Sequence, residues 1–165
     1  MSKQTKKNKN ENPGEKIVSE NRRARHDYDI LDSVECGMVL VGSEVKSLRN
    51  GSVSLAESYA KIKNREVWLI SCDIPEYFEA THFNHRPKRD RKLLLHRREI
   101  DRFAKKVLEK GITLVPLKLY FKDGKAKLLL GLCRGKQEHD KREAKKKADV
   151  ERGLRMYKMK KPTAR

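Results

Sequence analysis

The sequence predicts a mainly β protein with helices: a small antiparallel β-barrel, helices at its flanks, and a basic tail. Three observations carry that prediction. Apolar residues recur at period two over several short stretches, turn residues separate those stretches, and the periodicity is confined to roughly residues 27–134 of the 165-residue chain. So few strands would leave open edges in a flat sheet, and closing the sheet on itself removes them.

The elements follow in order. Tyr28–Val34 and Met38–Val41 are strand candidates expected to join near Cys36-Gly37, and Tyr59–Lys63 and Val67–Ile70 to join through Asn64-Arg65. The plainest local pattern is a hairpin. Leu117, Leu119 and Phe121 alternate with Lys118 and Tyr120, and Ala126, Leu128, Leu130 and Leu132 alternate with Lys127, Leu129 and Gly131. Between them Asp123-Gly124 supplies the positive φ angles of a tight turn. Pro116 has no backbone donor and belongs at an edge or a bulge. One helix is clear: Ile100, Phe103, Ala104, Val107 and Leu108 form an amphipathic stripe that Gly111 ends. Before it His96 is a poor cap, for which Glu99 compensates. A shorter helix is expected over Glu44–Arg49, ended by Asn50-Gly51.

Three regions result: a disordered basic leader over 1–20, a folded body over 21–135, and a basic tail over 136–165, disordered when free. Lys and Arg number 41 against 23 Asp and Glu, for a net charge of +18. That excess repels itself unless a polyanion neutralises it, which makes nucleic acid the first partner to consider and an anionic membrane the second. No apolar run approaches the ~20 residues that span a bilayer, and the basic N-terminus has no apolar segment of a secretory signal behind it. Cys36, Cys72 and Cys133 are odd in number and far apart, which excludes a disulfide framework and suits a reducing cytoplasm.

Catalysis finds little support. The acids are scattered among Lys and Arg rather than clustered to hold a metal, and no cysteine has the His and Asp company of a nucleophile. His82 and His85 with Cys72 sketch a zinc site but lack the paired cysteines or longer ligand set that structural zinc uses. No enzyme, metal or cofactor is expected. The basic clusters say more. Arg22, Arg23 and Arg25 stand beside His26 and Tyr28, pairing planar phosphate-binding forks with rings that stack on bases. Arg89, Arg91 and Lys92 form a second cluster on a loop that leads into Leu93-Leu94-Leu95, and a helix over 44–49 would put Lys46 and Arg49 on one face. RNA is preferred over DNA because small barrels with stacking aromatics are common RNA platforms.

Four motifs, in order, resemble the bacterial SsrA-binding protein family: Asn21-Arg22-Arg23-Ala24-Arg25-His26-Asp27-Tyr28, Gly42-Ser43-Glu44-Val45-Lys46-Ser47-Leu48-Arg49, Arg91-Lys92-Leu93-Leu94-Leu95-His96, and Arg134-Gly135-Lys136 through His139-Asp140-Lys141-Arg142. The resemblance implies a barrel related to the oligonucleotide-binding (OB) fold. It also implies an adaptor that binds the tRNA-like domain of transfer-messenger RNA and delivers it to stalled ribosomes for peptide tagging and ribosome rescue, the process of trans-translation. The partners implied are that RNA, the ribosome at its decoding centre and mRNA channel, and elongation factor Tu on the same RNA, in the cytoplasm and without a membrane. Asn21, Glu35 and Leu94 match positions the family uses at its RNA surface, although Leu94 suits a core position equally. Charge adds Arg22, Arg23, Arg25, His26, Lys46, Arg49, Arg91, Lys92, Arg134 and Lys136. His139, Asp140, Lys141 and Arg142 match the family's ribosome-contacting tail, which Lys145 and Lys146 extend and which becomes helical on the ribosome. Ser43 stands where some relatives carry a bulky aromatic. The competing reading is a ribosomal or ribosome-assembly protein that binds rRNA, which has no reason to carry both the Arg91–Leu95 block and the His139–Arg142 signature.

Overall fold

The computed structural model describes residues 15–80, 84–137 and 150. Among the described residues, seven strands and three helices follow in order: β1 (Glu15–Glu20), α1 (Arg22–Asp27), β2 (Tyr28–Met38), α2 (Gly42–Arg49), β3 (Tyr59–Lys63), β4 (Glu66–Ile70), β5 (Arg91–Leu94), α3 (Arg97–Val107), β6 (Ile112–Lys122) and β7 (Lys125–Gly135). Every pairing is antiparallel. Hydrogen-bonded neighbours run β6-β3-β4-β5-β2-β7, and β7 pairs back onto β6, so six strands close into a ring. The long strand β6 serves both ends of that ring: Leu114 pairs with Ala60 of β3, while Lys118–Lys122 pairs with the added strand β1.

The inside of the ring is apolar. Val67, Leu69, Leu119, Leu128, Leu130 and Leu132 are fully buried there, and α3 closes the core with Ile100 and Phe103. Ile100, Phe103 and Val107 of the expected stripe thus face inward, whereas Leu108, just past the end of α3, is exposed. Glu99 accepts a hydrogen bond from the His96 backbone N–H at 2.8 Å, supplying the cap that the His96 side chain does not. The β6–β7 hairpin turns as expected, with Asp123 at φ 48° and Gly124 at φ 75°. Pro116 sits where the β6–β7 register shifts, so its missing donor breaks no ladder bond.

Several expectations change. Tyr28–Met38 is one strand that runs through Cys36-Gly37 without turning, and residues 39–41 form no strand. Gly37 pairs with Leu94 of β5, and a Cβ at position 37 would meet the Leu94 Cβ at 3.4 Å, an ordinary packing distance. Part of the expected leader, Glu15–Glu20, is ordered as β1. Residues 22–27 form a helix, not merely a basic approach to the first strand. The loop expected to carry the second basic cluster becomes strand β5 at Arg91.

Candidate nucleic-acid interface

α1 has six residues and a single buried one, Ala24, so it has almost no apolar stripe of its own to dock it. Asn21 supplies the anchorage. Its side-chain oxygen accepts from the Ala24 N–H at 3.1 Å, and its amide donates to the Leu55 and Pro116 carbonyls at 3.2 Å each. Its backbone N–H reaches the Leu117 carbonyl at 2.8 Å. Asn21 is therefore buried and acts beneath the surface. What it positions is Arg22, Arg23, Arg25 and His26, all exposed. Ala24 packs with Val115, Leu117, Cys133, Tyr28 and Leu129 in a small apolar cluster on the outer side of β6 and β7.

The end of β7 completes this platform. The Lys136 N–H donates to the Asp27 carbonyl at 3.0 Å, and its Nζ donates to the Arg25 carbonyl, 111 residues earlier, at 3.1 Å. A cation on the last carbonyls of α1 also complements the helix dipole. Arg134 is exposed, 3.9 Å from Glu109 beyond the end of α3, and makes no hydrogen bond or ion pair with α1 among the described residues. Structure and charge thus bring together Arg22, Arg23, Arg25, His26 and Lys136, with a groove beside them bounded by Arg23, Tyr28 and Tyr59.

A second group lies on the outer face of the sheet. Glu35 and Gly37 are two residues apart on β2 and share that face, and Leu94 pairs with Gly37 and is 52% exposed. Leu94 is therefore an outer-surface residue and not part of the core. The Glu35 carboxylate accepts from the Tyr120 hydroxyl and lies 3.3 Å from Lys127 Nζ and 3.7 Å from Lys122 Nζ. The Tyr120 hydrogen bond, then Lys127 and Lys122, hold the Glu35 carboxyl below its usual range despite some burial. Burial and the Glu35 bond push the Tyr120 phenol up in turn. A fixed, ionised carboxylate on a basic surface accepts from base amino and imino groups and repels phosphate. Tyr120, Lys122 and Lys127 were missed from sequence because only the β2–β7–β6 pairing brings them to Glu35.

Arg91 is the main correction. Inward and outward residues alternate along β5, so Arg91 and Leu93 point in while Lys92 and Leu94 point out. Arg91 is fully buried, and its guanidinium is used up: Nε to the Glu44 carboxylate at 2.8 Å, Nη1 to the Cys72 and Arg89 carbonyls at 2.6 and 3.0 Å, and Nη2 to the Pro87 carbonyl at 2.8 Å. It cannot touch RNA. Glu44, also fully buried, accepts from Arg89 Nε and Nη2 at 2.7 and 2.6 Å and from the Val41 N–H at 2.8 Å. Burial raises its pKa, but the Arg89 and Val41 bonds and the charges of Arg91 and Arg89 outweigh burial, and the net shift is downward.

The remaining outward cations are separate from α1. Lys92 pairs with Glu66 across β4 and β5. Lys46 and Arg49 are exposed on α2, where Lys46 Nζ lies 5.4 Å from the centre of the Tyr77 ring. His85 spends both ring nitrogens, on Ser43 Oγ at 3.0 Å and the Ile74 carbonyl at 2.9 Å. The described residues contain no group of three His, Cys, Asp or Glu placed to hold a metal; His82 lies outside them. Burial pushes the Cys36 thiol to about 12 and those of Cys72 and Cys133 to about 11, far from reactive thiolates. His139, Asp140, Lys141, Arg142, Lys145 and Lys146 lie outside the described residues.

Comparison with known proteins places this geometry. Residues 18–161 match the SmpB protein family. An SsrA-binding protein of Rhodopseudomonas palustris is 58% identical over 142 residues, covering 86% of this chain and 90% of the relative. One from Bradyrhizobium diazoefficiens is 55% identical over 145 residues, covering 87% and 92%. A solved structure described as "tmRNA-SmpB: a journey to the center of the bacterial ribosome" is 50% identical and covers 76% of this chain and 92% of its own, with a TM-score of 0.63. The match takes in α1, the Glu35 face and the residues beyond β7 together, and the chain belongs to the SmpB, or SsrA-binding protein, family.

Proposed function

We propose that this protein is an RNA-binding adaptor that holds the tRNA-like domain of transfer-messenger RNA and brings it to stalled ribosomes for trans-translation. The observation that carries the reading is the α1 platform. Asn21 and Lys136 spend their polar groups on holding the helix, and Arg22, Arg23, Arg25 and His26 are left exposed to meet phosphate and base. Glu35 and Leu94 offer a base-edge acceptor and an apolar contact on the adjoining sheet face. Lys46, Arg49, Lys92 and Arg134 add sequence-independent attraction.

The basic segment beyond Lys136, with His139, Asp140, Lys141, Arg142, Lys145 and Lys146, is assigned to the ribosomal decoding centre and mRNA channel. Its support is that the family match continues through these residues to position 161. Elongation factor Tu on the same RNA, a cytoplasmic setting and a non-enzymatic role belong to the same proposal. No helix among the described residues is long and apolar enough to cross a membrane.

The test is the salt dependence of binding. Affinity for the isolated tRNA-like domain falls linearly with log salt, and Arg23→Ala with Arg25→Ala reduces the slope by about 0.7–0.9 for each phosphate that the variant leaves unneutralised. An unchanged slope removes α1 from the interface.

A further inference from the structure

Trp68, the one tryptophan of the chain, does not serve the core. Its neighbours Val67 and Leu69 are fully buried inside the ring, so the indole stands on the outer face, half-buried and in neither apolar cluster. Tyr59 and Ile70, paired on the same face, likewise belong to neither cluster. Lysines flank the indole directly: Lys61 of β3 pairs with Trp68 on one side and Lys92 of β5 on the other. A groove crosses this face, lined by Lys61, Lys63, Glu66, Trp68, Ile70 and Asp90. Lys92 is engaged by Glu66, whereas Lys61 and Lys63 carry no ion pair among the described residues.

We propose that the outer face of β3, β4 and β5 is a second RNA contact, where an unpaired base stacks on Trp68 and Lys61 and Lys63 neutralise the flanking phosphates. An aromatic ring bordered by lysines on a sheet is the arrangement that holds single-stranded RNA without strong sequence preference. A paired base already has neighbours above and below, so the strand must be unpaired. Glu66 and Asp90 in the groove repel phosphate, whether of RNA or of a lipid headgroup, but they accept from base amino groups, which anionic phosphate headgroups alone do not offer. In the ring β4 lies three strands from β7, and Trp68, Lys61 and Lys63 line a groove separate from the one at α1, which Tyr59 of β3 borders, so one RNA can engage both surfaces. The inference goes beyond the adaptor reading, because it concerns Trp68, Lys61 and Lys63, which that reading leaves unused, and a different RNA feature.

The lone indole is its own reporter. The test uses the full chain with Arg22→Ala and Arg23→Ala, which weakens the platform and leaves the β4 face untouched. Titration with a single-stranded RNA hexamer should quench Trp68 fluorescence to saturation. An abasic ribose-phosphate hexamer of equal charge should not, and equal quenching by it, or by hexaglutamate, overturns base stacking. Trp68→Leu should weaken binding of a dye-labelled hexamer by at least roughly fivefold, while Trp68→Phe stays within about twofold of the parent. Unchanged binding by Trp68→Leu overturns the proposal. Should that variant fail to fold, Lys61→Glu decides: it keeps the indole, and its quenching midpoint must move to higher RNA concentration, an unmoved midpoint counting against the site. Undiminished tRNA-like domain binding by the Arg22→Ala and Arg23→Ala protein, with quenching intact, would sink the platform and spare this face.

Discussion

Glu44 accepts four hydrogen bonds on two buried oxygens, three from the arginines and one from the Val41 backbone. It ties the start of α2 to β5 and, through Arg91, to the Cys72 and Pro87 carbonyls. Removing one partner of a buried pair leaves the other charged and unsolvated. Arg91→Ala should therefore cost about 3–5 kcal/mol in urea unfolding. Lys92→Ala, one residue along on the outer face, breaks only a partly exposed pair with Glu66 and should cost about 0–1 kcal/mol. The same carboxyl gives a pH signature. Its folded pKa is lowered, so its stabilisation is fully present above the unfolded value of about 4.3 and is lost as pH falls through the folded value. Glu44→Gln should be less stable at neutral pH and should show a flatter decline in acid than the parent. A parallel decline would remove Glu44 from the acid sensitivity.

At the scale of elements, α1 is held by hydrogen bonds more than by apolar area, and its capping residue is the weak point. Asn21→Ala removes a cap worth about 1 kcal/mol and leaves the Leu55 and Pro116 carbonyls without their donor, each at about 1–3 kcal/mol if unsatisfied. Asn21→Asp keeps the cap and loses the amide donor. If Asn21 acts from beneath, both variants lower the thermal midpoint, and both weaken RNA binding through displacement of α1. RNA loss with an unchanged midpoint would instead make Asn21 a direct contact. The same distinction between local and distant partners explains what was legible in the sequence. The Asp123-Gly124 hairpin and the inward residues Ile100, Phe103 and Val107 of α3 are local patterns, complete within a few residues, and they stand where expected, although Leu108 falls outside the stripe. The turn expected at Cys36-Gly37 does not form: a glycine that permits a turn is indistinguishable, locally, from one inside an extended strand, and the pairing of Gly37 with Leu94 and Lys127 decides it. Arg91 was misplaced for a related reason: its charge is visible in sequence, but the inward phase of β5 and the facing Glu44 come from pairings to distant strands. α1 showed no stripe because its apolar contact is Ala24 alone.

At the scale of the whole molecule, a net charge of +18 is divided between a closed body and the segments that flank it. The ring of six strands is complete at Gly135, but the platform is not: Lys136 still donates to Asp27 and Arg25. Two truncations a few residues apart therefore have different consequences. Ending the chain after Gln137 keeps every hydrogen bond of Lys136, and the unfolding midpoint should match that of the full chain. Ending it after Gly135 removes the Lys136 bonds to α1, and both the midpoint and the affinity for the tRNA-like domain should drop further. In either case part of the long-range attraction disappears with the deleted lysines and arginines, an effect that shrinks as salt is raised. Peptide tagging on stalled ribosomes should collapse for both, because the residues assigned to the decoding centre, His139 to Arg142, are gone. The measurement is a binding curve at two salt concentrations set beside a tagging assay for each protein. Retained tagging with diminished RNA affinity would mean that holding the RNA and engaging the ribosome have been assigned to the wrong halves of the chain.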